Sequence, residues 1–303
     1  MSSRNPRGLM ALAVEALERA GVAYGHGTRN AVDEAAWLVV GGLGLAPGSL
    51  NDHLDDPLSA SQWKSVLALV QRRIRTRKPA AYLLHEAWLG EHRFYVDERV
   101  IVPRSYIAEL LNRGQTTIFH GAEKRGLSPV SVLDLCTGSG CLAILAALRW
   151  PQARVDAADI SRDALEVAKR NVRDYKLEKR VRLVRSDLFE GLKGRKYDLI
   201  LSNPPYVTAA SMARLPEEYR KEPALALASG ADGLDHTRAI LAAAKRHLNP
   251  GGTLVVEIGR NRKALEKAYP GVPFEWPKTS GGRGYVFVLD AKSARTDRGG
   301  RAS

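Results

Sequence analysis

The chain has 303 residues, 45% apolar and 26% charged, the profile of a soluble globular protein with one large domain or two smaller ones. Its two cysteines, Cys136 and Cys141, lie five positions apart, in neither a C-x-x-C nor a zinc spacing, which argues against a disulfide framework or a metal site. A formal net charge of +13 favours a polyanionic partner such as nucleic acid or a ribonucleoprotein.

No apolar signal core follows the early arginines of "MSSRNPRGLM", and the longest weakly polar run, "WLVVGGLGLAP", is too short and glycine-rich to span a bilayer. A cytoplasmic protein with no membrane partner is expected. Residues 1–86 read as helices. In "LMALAVEALERAG", Leu9, Leu12, Val14, Leu17 and Ala20 fall largely on one side and Gly21 supplies a stop. "NAVDEAAWLVVGGLG" and "SASQWKSVLALVQRRIRTR" repeat the 3.6-residue period, so a small helical domain is predicted. Residues 87–103, "AWLGEHRFYVDERVIVP", gather aromatic and β-branched residues around a polar turn and predict a hairpin linker.

From 104 to 292 short apolar runs alternate with helical patterns: "VSVLDLC" then "CLAILAALRW", "ARVDAADI" then "RDALEVAKRNVRDY", and later "VRLVRSD", "YDLILSN", "GTLVVEIG" and "GYVFVLD". This alternation predicts an α/β fold with a mostly parallel sheet. Residues 293–303, "SARTDRGGRAS", carry no apolar periodicity and read as a disordered basic tail.

Ligands of such sheets bind at the carboxyl ends of the strands. The first delivers "DLCTGSGCLA", Asp134 to Ala143, in which Gly138 and Gly140 allow a tight turn and close approach to a ligand. The second ends at Asp159 of "DAADIS", placed to accept hydrogen bonds from ribose hydroxyls. The third ends in "SDLF", with Asp187 as an acceptor for an adenine amino group and Leu188 or Phe189 as an apolar wall. "GSGCLA" also fits the G-x-G-x-x-A of nicotinamide dinucleotide sites, but a pyrophosphate makes little use of so acidic an approach, and no P-loop lysine is present. The fourth strand ends in "SNPPYV", where consecutive prolines end ladder pairing and begin a rigid loop.

"DLCTGSGCLAI", "DAADIS", "SDLF" and "SNPPYV" resemble, in order and spacing, the class I S-adenosylmethionine-dependent methyltransferases with an N-P-P-Y signature, which methylate planar amino groups of adenine, cytosine or glutamine. The resemblance implies a Rossmann-like sheet and S-adenosylmethionine held by Asp134, Cys136, Thr137, Gly138, Ser139, Gly140, Asp159, Ile160, Asp187, Leu188 and Asn203. An amide lone pair is delocalised and weakly nucleophilic. Two carbonyls gripping its N–H bonds, from the Asn203 side chain and the Pro204 backbone, would orient it and stabilise the charge that develops on transfer. Asn203, Pro204 and Tyr206 are thus the expected catalytic residues, with Pro205 joining them in binding the substrate.

Two further stretches narrow the substrate. The segment Arg72 to Leu111, above all "FYVDERVIVPR" from Phe94 to Arg104, and "YRKEPALALASGADGLD", Tyr219 to Asp235, resemble the protein N5-glutamine methyltransferases, over about residues 10 to 290. The long linker looks most like the branch acting on large-subunit ribosomal protein three. The other branch, acting on the Gly-Gly-Gln loop of release factors, and an adenine methyltransferase of nucleic acid are the alternatives. The implied partner is a ribosomal protein or an assembly intermediate, with rRNA contact through the basic surface as a further expectation. The helical domain is expected to dock it. His85 replaces a small or polar residue and Tyr106 a common proline, both at positions that bear on docking.

Overall fold

A computed structural model describes residues 4–112 and 129–293; the predicted tail, Ser293 apart, lies outside them. Four helices come first: α1 (Pro6–Ala20), α2 (Ala31–Leu43), α3 (Ala60–Thr76) and the short α4 (Ala80–Leu84). Each long helix opens on a side-chain cap, from Asn5, Asn30 and a Ser59–Gln62 capping box, which satisfies N–H groups that the first turn leaves unpaired. Gly21 ends α1 in the left-handed conformation at φ 56°, as its position predicts. The buried stripe of α1 is Leu9, Ala13 and Leu17, spaced by four, and these pack with Ala35, Leu38, Val39 and Val70 in the core of the bundle. Leu12, expected on that face, points outward at 36% exposure, because it sits a quarter-turn off the stripe.

The linker is a shorter hairpin than predicted. β1 (Ala87–Leu89) and β2 (His92–Phe94) pair antiparallel, and residues 95–103 form no strand. Their apolar side chains are core: Val96, Val100 and Val102 pack against Ala81, Tyr82, Ala164 and Val167, joining the helical domain to the domain that follows.

That second domain carries α5 (Tyr106–Asn112), β3 (Ser131–Leu135), α6 (Cys141–Arg149), β4 (Arg154–Asp159), α7 (Arg162–Asp174), β5 (Val181–Arg185), β6 (Tyr197–Ser202), α8 (Ala209–Met212), α9 (Asp235–His247), β7 (Leu248–Glu257), α10 (Arg262–Ala268), the small β8 (Lys278–Thr279) and β9 (Gly282–Arg283), and β10 (Val286–Asp290). Six strands form one sheet in the order β10-β7-β6-β3-β4-β5, parallel except for β10. Both faces are covered, which is why the central strands read as continuous apolar runs. Leu142, Leu145 and Trp150 fill one side, and Ile240, Leu265 and Phe287 the other. The chain winds outward from β3 to β5 and then returns to place β6 on the other side of β3. Strand order reverses between β3 and β6, so the loops at their carboxyl ends splay apart and leave a crevice. No helix among the described residues is long and apolar enough to cross a membrane.

Candidate active site

The crevice holds two cavities that share a wall. The smaller, about 220 Å³, lies over the ends of β3, β4 and β5 and is lined by Cys136, Gly138, Asp159, Ile160, Asp187 and Leu188. The larger, about 840 Å³, runs between the hairpin, the helical domain and the ends of β6 and β7, past Trp88, Arg104, Tyr106, Pro204, Tyr206 and Glu257. Asn203 lines both. Its side-chain oxygen is buried and has no hydrogen-bond partner, an arrangement that costs free energy unless a ligand supplies a donor.

The glycine loop after β3 is held from behind. Asp134 is 1% exposed; one of its oxygens accepts from Thr137 Oγ1 at 2.5 Å and Ala143 N at 3.0 Å, while Oδ1 has no partner. Burial, with the nearby Asp159 charge adding to it, raises its pKa to about 7 against those two donors. Gly140 adopts φ 81°, and a Cβ there would stand 3.1 Å from the Ala168 side chain, so the loop packs directly on α7. Asn171 on α7 ties the loop to the linker: its amide donates to the Ser139 and Tyr95 carbonyls and its oxygen accepts from Tyr95 N. Asp159 accepts from Gly138 N and Ser161 N at 2.9 Å each, and burial raises its pKa against those two bonds.

The N-P-P-Y loop is braced from below. Val207 N donates to the Leu227 carbonyl and Ser229 N to the Val207 carbonyl, so the "ALALASG" stretch runs alongside it. Tyr206 packs on two glycines with positive φ: a Cβ on Gly259 would meet its ring at 2.7 Å, and one on Gly233 its carbonyl at 2.4 Å. Asn261 donates to that same carbonyl. Behind the ring lies Glu257, fully buried, accepting from Ser105 Oγ and Tyr106 N; burial raises its pKa to about 7.

The rim of the larger cavity rests on buried ion pairs, of which those to Glu218 cross between the domains. Arg73 of α3 donates to Glu34 at 2.5 Å and to Glu218 at 3.3 Å, and Glu218 also meets Arg77 and Ala23 N. Arg104 forks onto both oxygens of Glu222, which also accepts from Val102 N. Burial alone would raise the Glu222 pKa, but Arg104 outweighs it and holds the carboxyl at about 2.

Two family models match the chain: "PrmC N-terminal domain" over residues 9–84 and "Methyltransferase small domain" over residues 122–268. A protein of Neisseria meningitidis serogroup B named ribosomal protein uL3 glutamine methyltransferase is 54% identical, with 93% of this chain and 92% of that one covered. Proteins of the same name from Bordetella pertussis, at 51% identity with 96% of each chain covered, and from Burkholderia pseudomallei, at 50% with 94% of each, are similar over the same length. The chain belongs to the ribosomal protein uL3 glutamine methyltransferase family. It is therefore an enzyme, and its fold is the class I methyltransferase fold with a helical domain in front.

In this methyltransferase the residues expected at the cofactor separate into two layers. Cys136, Gly138, Asp159, Ile160, Asp187, Leu188 and Asn203 line the smaller cavity. Asp134, Thr137, Ser139 and Gly140 do not line it; they shape the loop that does. Cys141 is a core residue, whereas Cys136 faces the cavity rather than serving only as packing. Pro204 and Tyr206 line the larger cavity, but Pro205 turns to the smaller one, because successive residues of an extended loop point to opposite sides. Tyr106 is on the wall of the larger cavity; His85 caps α4 at φ 53° and stacks on Tyr95, away from it. The ion pairs through Arg73, Glu218 and Glu222 were not anticipated. Arg73 and Glu222 fall in the stretches Arg72 to Leu111 and Tyr219 to Asp235 that carry the family resemblance, and Glu218 lies one position outside.

Proposed function

We propose that this enzyme transfers a methyl group from S-adenosylmethionine to the side-chain amide nitrogen of a glutamine in ribosomal protein uL3. The observation that carries this reading is the unpartnered Asn203 oxygen, in a wall that it shares with Ile101 and Ala226 between the two cavities. A donor that meets it from the larger cavity lies next to whatever occupies the smaller.

The smaller cavity suits the proposed cofactor. Its Asp159 carboxylate is positioned by two backbone N–H groups and offers its remaining lone pairs to ribose hydroxyls; Ile160 and Leu188 give apolar walls for a purine, with Asp187 at the rim. Asp134, beneath the loop, holds it in shape by accepting from the Thr137 hydroxyl and the Ala143 N–H. When bound, the cofactor supplies an electrophilic methyl group on a sulfonium. Everything else falls to the protein. Asn203 Oδ1 and the Pro204 carbonyl accept the two amide N–H bonds, which fixes the nitrogen and favours the more tetrahedral, positively charged state over the planar one. Prolines at 204 and 205 hold those acceptors rigid before substrate arrives, so little order is lost on binding. Tyr206, backed by Gly259 and Glu257, offers a flat face to the amide. Once alkylated, the nitrogen is acidic and releases its proton to water in the open cleft, so no carboxylate base is required.

Labelled-methyl transfer into separately purified uL3, release factor and rRNA tests the assignment. Label is expected on a glutamine of uL3. Label confined to release factor or to RNA would overturn it.

A further inference from the structure

Parallel strands sort charge in this chain. The amino ends of β4 to β7 and the carboxyl ends of α6, α7 and α9 share the face opposite the catalytic loops, roughly 20 Å away along the six residues of β4. Contacts knit that face together: Arg154 donates to the Lys179 carbonyl, Arg180 to the Ala147 carbonyl, Asp156 bridges Arg182 and Arg195, and His247 pairs with the Arg195 carbonyl.

Exposed on it at helix ends are Arg149, Lys245 and Arg246, and in loops or at a strand start Arg154, Lys176, Lys179, Lys193 and Lys196. None of these makes an ion pair with a described residue. The exposed acids among the same segments are Asp174, spanned by Arg170 and Arg173 at 3.8 and 3.9 Å, and Glu178. Helix dipoles explain cations at the helix ends, but each of the three termini carries only about half a negative charge. The loop lysines lie beyond what those dipoles need. A protein partner would want an apolar and aromatic centre. Among the described residues the large apolar side chains exposed here are Val130 and Leu148.

We propose that this face binds the phosphate backbone of RNA, leaving the catalytic cleft on the opposite side free for the protein loop to be methylated. The choice of RNA over other polyanions rests on the substrate being a ribosomal protein; the face itself does not. Phosphate contacts by lysine and arginine position a complex without reading sequence.

The test uses the full chain, a fluorescein-labelled RNA hairpin and anisotropy across a salt series. One variant combines Lys176→Glu, Lys179→Glu, Lys193→Glu and Lys196→Glu. A control with the same net charge combines Arg4→Glu, Lys64→Glu, Arg72→Glu and Arg75→Glu, all exposed and all in the helical domain. The first variant is expected to bind on the order of 100-fold more weakly, with the log–log salt slope reduced by about one per lysine, while the control stays near wild type. Equal weakening of both, or none in either, overturns the proposal, as does a poly-glutamate peptide that binds as tightly as the RNA. Methyl transfer to free uL3 is read in parallel. Its retention in the first variant reports an intact fold, and its absence in every protein would count against the proposed substrate, not against this face.

Discussion

The two cavities that meet at Asn203 are built in opposite ways. The floor of the smaller one is made of short loops that each follow their own strand and are positioned by near partners, Asp134 by Thr137 and Ala143, Asp159 by Gly138 and Ser161, while Ile101, Pro223 and Ala226 complete its lining. The larger one exists because segments more than a hundred residues apart are clamped by buried charge, Arg73 to Glu218 and Arg104 to Glu222. A local site tolerates drift elsewhere in the chain. A clamped cleft ties substrate access to the integrity of the domain junction, so damage to each should leave a different signature.

The largest effect is expected from Arg73→Ala. It leaves Glu34 buried with the Thr28 hydroxyl and no cation, and Glu218 with Arg77 alone, and should lower unfolding free energy by about 3–5 kcal/mol in urea titrations. A loss under about 1 kcal/mol would mean that the clamp is not what joins the domains. Asn203→Ala should reduce turnover by about 10²–10³-fold, the usual cost of removing one acceptor or donor that works mainly in the transition state. Cofactor affinity measured by calorimetry should change little; an equal loss of both would place Asn203 in binding rather than in transfer. Asp159→Ala addresses the smaller cavity alone. Its charged hydrogen bonds are worth about 1.5–3 kcal/mol, so the cofactor Kd should rise by roughly one to two orders of magnitude with thermal stability nearly intact.

The smallest effect is one of pH. Asp134 has its pKa raised to about 7 by burial, so the free enzyme keeps its proton there well above the unfolded value near 4. The stability this group contributes is complete below about pH 4 and is lost as pH rises through about 7. Unfolding free energy measured by urea titration should therefore fall between about pH 4 and 7 and level off above that. An unchanged profile in Asp134→Asn would move the linkage to another group, Glu257 being next.

The helices, the strand order of the chain and the four strand-end motifs were legible because each is a local pattern: a 3.6-residue stripe, an apolar run, an Asn-Pro-Pro-Tyr turn. Pairing of β6 with β3 was not, since it places residues 67 positions apart side by side. The same limit explains the smaller misses. Pro205 was grouped with its neighbours because sequence adjacency hides which way a loop residue turns. Residues 95–103 looked like strand because their β-branched side chains are as buried as those of a strand, against α4 and α7 rather than in a ladder.

The sequence by itself determined a methyl-transfer centre, down to the residue expected to hold the accepting nitrogen, since the strand-end loops that make it carry their chemistry in four or five consecutive positions. Only the tertiary structure decided that Glu218 and Glu222 anchor the rim of the larger cavity, and that lysines from separate loops share one face. Buried ion pairs and surface charge fields depend on distance through space, and no run of neighbouring residues records that.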